Sequence, residues 1–177
     1  MMLTPTGWEG RALIVSDIPH PETWFDEEEL AVIRGFARTK RRSEWMLSRI
    51  AEKELRRSGV TGDYVSFSHS GKYGAGAIDT QAVGIDIEVS REISENAAHL
   101  FLTDEEIESM KKCTIALRML HFWSAKEALW KQHGGSIPTL RRVPLILESK
   151  NETGLGFQGV ETVAINDLIA AITLPIS

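Results

Sequence analysis

Alternating and helical patterns of apolar residues divide the chain into short predicted elements. The predicted helices cover residues 26–34, 41–57, 94–101, 103–112 and 115–133. The predicted strands cover residues 13–18, 64–68, 73–79, 83–89, 144–149 and 168–174, with a glycine-rich turn between the last two. Short turns separate the three strands of residues 64–89, which predicts a small antiparallel meander.

The order of these elements predicts an α+β fold. The 177 residues fit one domain, residues 1–177, with approximate halves 1–82 and 83–177. Residues 115–133 form the longest predicted helix. Because apolar residues lie almost all round it, we expect this helix to be central and buried.

The most informative strand is residues 83–89, where acidic and apolar residues alternate. Side chains two apart on a strand share a face, so Asp86 and Glu88 project together. Adjacent carboxylates repel unless a cation lies between them, and Mg²⁺ binds carboxylates together with phosphate oxygens and water. The alternative is an edge strand with a solvated acidic face. Gly84, just before the pair, indicates a close approach of backbone or a bend.

A further acid lies on the long predicted helix, in the sequence Trp-Ser-Ala-Lys-Glu-Ala-Leu-Trp-Lys at 123–131. Trp123, Glu127 and Lys131 are spaced so that they share one helical face. A glutamate on a buried helix requires a partner. Glu127 is therefore either paired with Lys131, or it is a third metal ligand or general base with Lys131 beside a substrate phosphate.

Composition narrows the class of protein. The net charge of −5 argues against a surface built throughout for nucleic acid. The single cysteine, Cys113, allows no disulfide within the chain, and no Cys and His cluster has zinc spacing. The first residues lack the apolar core of a secretory signal, and the apolar stretch 168–176 is too short to cross a bilayer. We therefore expect a cytoplasmic protein that acts without a membrane.

Four segments together resemble the 4′-phosphopantetheinyl transferase superfamily. They are Lys-Arg-Arg-Ser-Glu-Trp at 40–45 followed by Arg49, Phe-Ser-His-Ser-Gly at 67–71, Gly-Ile-Asp-Ile-Glu at 84–88 and the 123–131 segment quoted above. The chain length and the Trp-Ser-x-Lys-Glu form favour the surfactin-synthetase-activating (Sfp-like) type. The resemblance runs from about Lys40 to Lys131.

This resemblance implies a pseudo-twofold α+β monomer with the cofactor between its halves. It implies transfer of the phosphopantetheine arm of coenzyme A to a serine of an apo acyl or peptidyl carrier protein, with release of adenosine 3′,5′-bisphosphate. The carrier would serve fatty-acid, polyketide or nonribosomal peptide synthesis. Mg²⁺ on the pyrophosphate would neutralise the charge that builds as the P–O bond breaks.

The same resemblance implies roles for individual residues. Asp86, Glu88 and Glu127 match the family's Mg²⁺ ligands, and Glu127 also matches its general base, acting directly or through water. Lys131 matches a residue near the pyrophosphate. The residues implied to bind coenzyme A are Lys40, Arg41, Arg42, Arg49, Ser68, His69 and Lys131.

Within that set, His69 and Arg49 match contacts to the 3′-phosphate of coenzyme A, and Ser68 is expected in the same site. The basic patch of residues 38–42 suits the same phosphate. Cations at a helix N-terminus are unfavourable by roughly 0.3–1 kcal/mol each, so an anion there would relieve a cost. The alternatives are a solvated helix start and, for His69, a hydrogen-bonded turn residue.

The chain departs from the family in one segment. Members commonly carry Gly-Lys-Pro between the arginine-rich helix and the Ser-His-Ser-Gly segment, whereas only Ser-Gly-Val-Thr-Gly-Asp joins Arg57 to Tyr64 here. Position 124 is Ser where Thr is frequent. Two other functions stay open: a degenerate member that binds coenzyme A or a carrier protein without catalysis, and a Mg²⁺-dependent phosphohydrolase that uses the same acids.

Overall fold

The computed structural model describes residues 1–175. Its strands are β1 (Met2–Leu3), β2 (Ala12–Ser16), β3 (Tyr64–Ser70), β4 (Tyr73–Asp79), β5 (Ile85–Val89), β6 (Leu147–Lys150), β7 (Gly154–Phe157), β8 (Val160–Ile165) and β9 (Leu168–Thr173). Its α-helices are α1 (Glu27–Arg34), α2 (Thr39–Arg57), α3 (Ala98–Phe101), α4 (Asp104–Lys111) and α5 (Arg118–Gln132). Short 3-10 helices cover Pro21–Trp24, Glu95–Ala97 and Leu140–Arg142. Ile176, the end of the apolar stretch noted above, lies outside the described residues.

The strands form two antiparallel sheets. The first has the order β1-β2-β4-β3, and the second has the order β5-β9-β8-β7-β6. Helix α2 packs on β2 and β4 of the first sheet, and α5 packs on β5 and β9 of the second. The predicted α+β fold, with small antiparallel sheets packed on long helices, is confirmed. No helix within residues 1–175 combines the length and apolar composition that a membrane span needs.

The predicted meander is wrong in its third strand. β3 pairs with β4 as expected, but β5 leaves that sheet and pairs with β9, with Asp86 opposite Ala171. Residues 80–84 carry the chain from the first sheet to the second. The short connection suggested a hairpin, whereas the partner that β5 meets lies at the far end of the sequence.

Serine side chains of β3 face the outer edge of β5. Their hydroxyl oxygens accept hydrogen bonds from alternate backbone N–H groups of β5, in the pairs Ser66–Ile85, Ser68–Ile87 and Ser70–Val89, at 3.1, 3.2 and 3.0 Å. We call this set the serine ladder. It satisfies backbone donors that a neighbouring strand would otherwise satisfy, and it joins the two sheets.

Two further predictions about the elements are corrected. The longest helix is α2, with 19 residues, whereas α5 has 15 because it runs from Arg118 to Gln132 rather than over residues 115–133. The expected glycine-rich turn before β9 is instead the β7–β8 hairpin. Gly154 sits so close to its partner strand that an added Cβ would lie 2.0 Å from the Thr162 carbonyl oxygen. This glycine therefore serves strand pairing, although in the sequence it indicates a turn.

Three apolar clusters stabilise the arrangement. One lies between α2 and the first sheet and includes Ile50. The second lies between the two sheets and includes Ile14, Ile85 and Ile172. The third surrounds α5 and includes Phe122. The apolar side of β5 thus packs into the core between the sheets, which leaves its acidic side directed away from that core.

Gly84 lets α5 pack closely against the start of β5. A Cβ at this position would lie only 1.8 Å from the Ala128 carbonyl oxygen. The neighbouring end of the helix is tied to the same segment, because Gln132 Nε2 donates to the Ala82 carbonyl oxygen at 2.9 Å. The close approach predicted from the glycine is confirmed, and it sets the distance between α5 and β5.

Lys126, which precedes Glu127 on α5, lies in the core. Lys126 is fully buried, and its Nζ lies 2.7 Å from Glu106 Oε2 and donates to the Val143 carbonyl oxygen at 2.7 Å. Glu106 also accepts a hydrogen bond from the backbone N–H of Thr103, which completes a capping box at the start of α4. The buried ammonium therefore fixes α4 against α5.

His121 is a second polar side chain of α5 that the core encloses. It is fully buried, and its Nδ1 lies 2.7 Å from Thr162 Oγ1 on β8. Within residues 1–175, its Nε2 has no hydrogen-bond partner. Burial lowers the pKa of His121 to about 4. The ring is therefore neutral in the native protein at neutral pH.

Gly84→Ala should destabilise the fold by about 1–3 kcal/mol, because the new methyl group has to push α5 away from β5. Urea unfolding followed by circular dichroism measures this loss. Gly35→Ala is the control, since Gly35 has an ordinary φ of −71° and an added Cβ there would lie 3.2 Å from its nearest neighbour. Equal unfolding free energies for the two variants would contradict the close approach.

The protein should lose stability as the pH falls from about 6.5 to about 4, because in this range the unfolded chain binds a proton at residue 121 that the native state excludes. His121→Asn should remove on the order of 3 kcal/mol of this pH dependence. Urea unfolding at several pH values measures it. His99→Asn, at an exposed position, should leave the dependence unchanged, and a wild-type dependence in His121→Asn would disprove the assignment.

Candidate active site

The two acids of β5 lie on the same side of the strand, as predicted. Asp86 is 5% exposed and Glu88 is half-buried. Ile85 and Ile87 point the other way, into the core between the sheets. The alternative of a solvated acidic face is therefore wrong for Asp86, whose carboxylate is enclosed by protein.

Each of these acids is held through one of its oxygens. Asp86 Oδ1 accepts a hydrogen bond from Ser68 Oγ at 2.9 Å. Glu88 Oε2 accepts one from Ser70 Oγ, also at 2.9 Å, and lies 3.7 Å from Arg91 Nη2. The contacts fix the orientation of both carboxylates on β5.

Lys131 joins α5 to the same strand. Its Nζ donates to Asp86 Oδ1 at 2.8 Å and to the Ile85 carbonyl oxygen at 2.9 Å. The ammonium thus lies on β5, one helical turn after Glu127, and its ion pair is with Asp86. The i, i+4 pair between Glu127 and Lys131, which was the simpler alternative, does not form in this structure, which describes both residues.

Glu127 completes the cluster of acids from the helix side. Burial raises the pKa of its carboxyl group, the charges of Asp86 and Glu88 raise it further, and the charge of Lys131 acts in the opposite direction. Glu127 on α5 therefore lies within electrostatic reach of the two carboxylates of β5. A metal site shared by the three acids stays a prediction.

The carboxylates of these acids suit a cation, although they are not arranged as a complete coordination sphere. Within residues 1–175, no three His, Cys, Asp or Glu side chains are placed closely enough to hold a metal ion. Asp86 Oδ2, however, is buried and has no hydrogen-bond partner in the same range. A buried carboxylate oxygen without a donor is costly, and so is a half-buried Glu127 under the charge of two other acids. A cation bound between them would relieve both costs.

A second feature lies on the other side of β3. A cavity of about 260 Å³ opens between α2 and β3 and is lined by Phe36, Arg41, Glu44, Trp45, Ser48, Arg49, Phe67 and His69. Arg41, Arg49 and His69 were predicted to bind one phosphate, and the structure brings all three to this cavity. We call it the basic pocket.

Aromatic rings hold Arg49 in place within the basic pocket. Its guanidinium lies 3.9 Å from the ring centre of Phe67 and 5.4 Å from that of Trp45. It also pairs with Glu52 at 3.3 Å. Stacked arginines keep their planar donors available for phosphate oxygens. His69 Nδ1 lies 3.7 Å from Glu44 Oε1, so the pocket carries one acid among its cations.

Three predicted residues lie outside the basic pocket. Lys40 and Arg42 are exposed on α2, and they do not line the cavity. Lys40 Nζ instead lies 3.7 Å from Glu44 Oε1. Ser68 was expected beside His69, but the two residues point to opposite sides of β3, and the hydroxyl of Ser68 is bonded to Asp86. Ser68 thus belongs to the cluster of acids.

Sequence reasoning missed several residues of these two sites. Ser70 was not predicted, although the alternation of Ser66, Ser68 and Ser70 on a strand was a readable signal. The aromatic wall formed by Trp45 and Phe67 was also missed. Its signal was the spacing of residue 45 four positions after Arg41 and four before Arg49, which places all three on one face of the helix.

Residues 82–166 match the model of the family described as ACPS, the 4′-phosphopantetheinyl transferase superfamily. The resemblance seen in the sequence is therefore confirmed at the level of the superfamily over these residues. The matched range contains the acids of β5 and α5, whereas the basic pocket lies before it. The match supports transferase activity on phosphopantetheine in general terms. Among curated proteins, none matches the chain.

Proposed function

We propose that the protein transfers the 4′-phosphopantetheine arm of coenzyme A to a serine of an apo acyl or peptidyl carrier protein, with Mg²⁺ bound by Asp86, Glu88 and Glu127. The observation that carries this proposal is the cluster of those three acids with Lys131. The model of the 4′-phosphopantetheinyl transferase superfamily matches residues 82–166, a range that includes all four of these residues.

The basic pocket supports a role in anchoring coenzyme A. Its cations are Arg41, Arg49 and His69, which suit the 3′-phosphate. His69 lies between Ser68 and Ser70, which hold the acids on the opposite side of β3. A ligand anchored in the pocket therefore has to pass the end of only one strand to reach the acids. Binding energy gained at the distal phosphate would position the pyrophosphate.

The donor set at the acids suits Mg²⁺ better than a softer metal, because it consists of carboxylate oxygens. Asp86 Oδ2 is the ligand atom that the structure leaves unpartnered. The bound ion would neutralise charge on the pyrophosphate oxygens. Lys131, already on Asp86, would add a fixed positive charge beside them.

The reaction proposed is attack of the carrier serine hydroxyl on the phosphorus that bears pantetheine. The new O–P bond forms as the bond to adenosine 3′,5′-bisphosphate breaks. Glu127 would take the proton of the serine hydroxyl, directly or through a water molecule. Its raised pKa suits this task, because a base works best when its pKa approaches the working pH. We also propose that the enzyme acts as a monomer in the cytoplasm.

The deciding experiment incubates the protein with coenzyme A, Mg²⁺ and a panel of apo carrier proteins. A mass gain of one phosphopantetheine on a carrier would support the proposal. Binding of coenzyme A without any mass gain on the panel would instead favour the degenerate member, for which the short connection between α2 and β3 speaks. Breakdown of coenzyme A without an acceptor would favour the phosphohydrolase.

Glu127→Gln and Asp86→Ala should abolish transfer while the fold stays intact. For Glu127→Gln we expect kcat to fall by roughly 10²–10⁴-fold, which is the usual contribution of a positioned base. Carrier labelling measures the rate, and circular dichroism checks the fold. Glu108→Gln is the matched control, because Glu108 is exposed and pairs with Lys111 on the surface of α4. Transfer at the wild-type rate in either variant would remove the catalytic assignment.

Arg49→Ala should raise the apparent KM for coenzyme A by roughly 10–100-fold, because it removes a charged hydrogen bond to the 3′-phosphate. With dephospho-coenzyme A, which lacks that phosphate, wild type and variant should be alike. Arg57→Ala is the control, since Arg57 lies on the same helix as Arg49 but outside the pocket. Its guanidinium also stacks on an aromatic ring, that of Trp24, at 4.5 Å. A loss that persists with dephospho-coenzyme A would assign Arg49 to packing instead.

A further inference from the structure

The serine ladder has three rungs, and two of them do more than satisfy the backbone of β5. Ser68 and Ser70 each accept one backbone N–H and donate to a carboxylate, whereas Ser66 accepts the N–H of Ile85 alone. The residue that would face Ser66 in the same way is Gly84, which has no side chain. Ser66 can therefore serve as an internal control for Ser68 and Ser70, because it makes the same bond to the backbone of β5 but holds no acid.

The two acids are held by the same pattern of contacts. On Asp86, the hydroxyl of Ser68 and the ammonium of Lys131 both reach Oδ1, and Oδ2 has no hydrogen-bond partner among residues 1–175. On Glu88, the hydroxyl of Ser70 and the guanidinium of Arg91 both reach Oε2. Within residues 1–175, the polar contacts of Glu88 all use that oxygen, so Oε1 is left free.

The chemistry of a hydroxyl explains why serine fits this task. It has one proton to donate and lone pairs that accept. The N–H of Val89 occupies an acceptor site of Ser70 Oγ at 3.0 Å, which directs the hydroxyl proton to Glu88 Oε2 at 2.9 Å. The backbone of β5 thus fixes the hydroxyl, and the hydroxyl fixes the carboxylate.

We propose that Ser70 is a positioning residue for Glu88, which holds one carboxylate oxygen so that the other is free to bind a divalent cation. The proposal rests on the metal role given to Glu88 in the proposed function. Groups that orient metal ligands in this way contribute about 10–100-fold to metal affinity. Ser66, which lacks an acid, should contribute nothing to that affinity.

The test measures the binding of Mn²⁺ alone to the full chain, from the electron paramagnetic resonance signal of the free ion. Ser70→Ala should weaken binding by about tenfold or more. Ser66→Ala should bind like wild type, although it removes the same kind of bond to β5. Ser70→Thr, which keeps the hydroxyl, should restore wild-type affinity. Thermal unfolding of each variant reports any general loss of stability.

Ser70→Val protects the test against a misfolded alanine variant, because valine and threonine have nearly the same shape and differ in the hydroxyl. Ser70→Val should bind Mn²⁺ about tenfold more weakly than Ser70→Thr. Wild-type affinity in Ser70→Ala or Ser70→Val would overturn the proposal. An equal loss in Ser66→Ala would also overturn it, since the effect would then belong to the ladder as a structural element.

The outcome separates this proposal from the proposed function. If wild type binds Mn²⁺ and the variants differ as expected, but no carrier is labelled, the transfer reaction is wrong and the positioning role stands. If carriers are labelled and Ser70→Ala keeps wild-type Mn²⁺ affinity, the positioning role is wrong and the transfer reaction stands. Absence of Mn²⁺ binding by wild type would overturn the positioning role.

Discussion

The two sheets of this protein meet along a line of serine hydroxyls, and the candidate active site depends on that contact. In the described part of the chain, residues 1–175, no neighbouring strand satisfies the backbone donors on the outer edge of β5. A buried N–H without an acceptor costs about 1–3 kcal/mol. The serine ladder satisfies three of these donors. A hydroxyl that accepts a backbone N–H still has a proton to donate. The contact that joins the sheets therefore also supplies donors for the acids.

Helix α5 brings the other half of the site to the same strand. The absence of a side chain at Gly84 allows the helix backbone to approach β5, and the approach places Lys131 against Asp86. It also encloses Glu127 beside two other acids, which raises its pKa. Packing thus creates repulsion among carboxylates that a bound cation would relieve. This repulsion arises where the proposed chemistry needs a cation site.

The local features of the fold could be predicted from the sequence, because short-range chemistry decides them. The bounds of β4, the capping box of α4 and the shared face of Asp86 and Glu88 are of this kind. The partner of β5 could not be predicted, since it depends on which distant strand supplies a complementary edge. The basic pocket was predicted in part. Arg41 and Arg49 share a helical face, whereas Lys40, next to Arg41 in the chain, points about 100° away from it.

The neighbouring side chains of Lys126 and Glu127 serve unrelated needs. Lys126 is buried in the core beside Glu106. Its loss would leave the carboxylate of Glu106 buried without a counter-charge and would destabilise the fold. The glutamate contributes repulsion to the cluster of acids, so its loss would cost the fold little stability. Within one dipeptide, a substitution can therefore remove the proposed base and leave the fold intact, whereas loss of the lysine would disturb the fold itself. A related chain that retains the lysine and has lost the glutamate would keep this fold but would lack the proposed base.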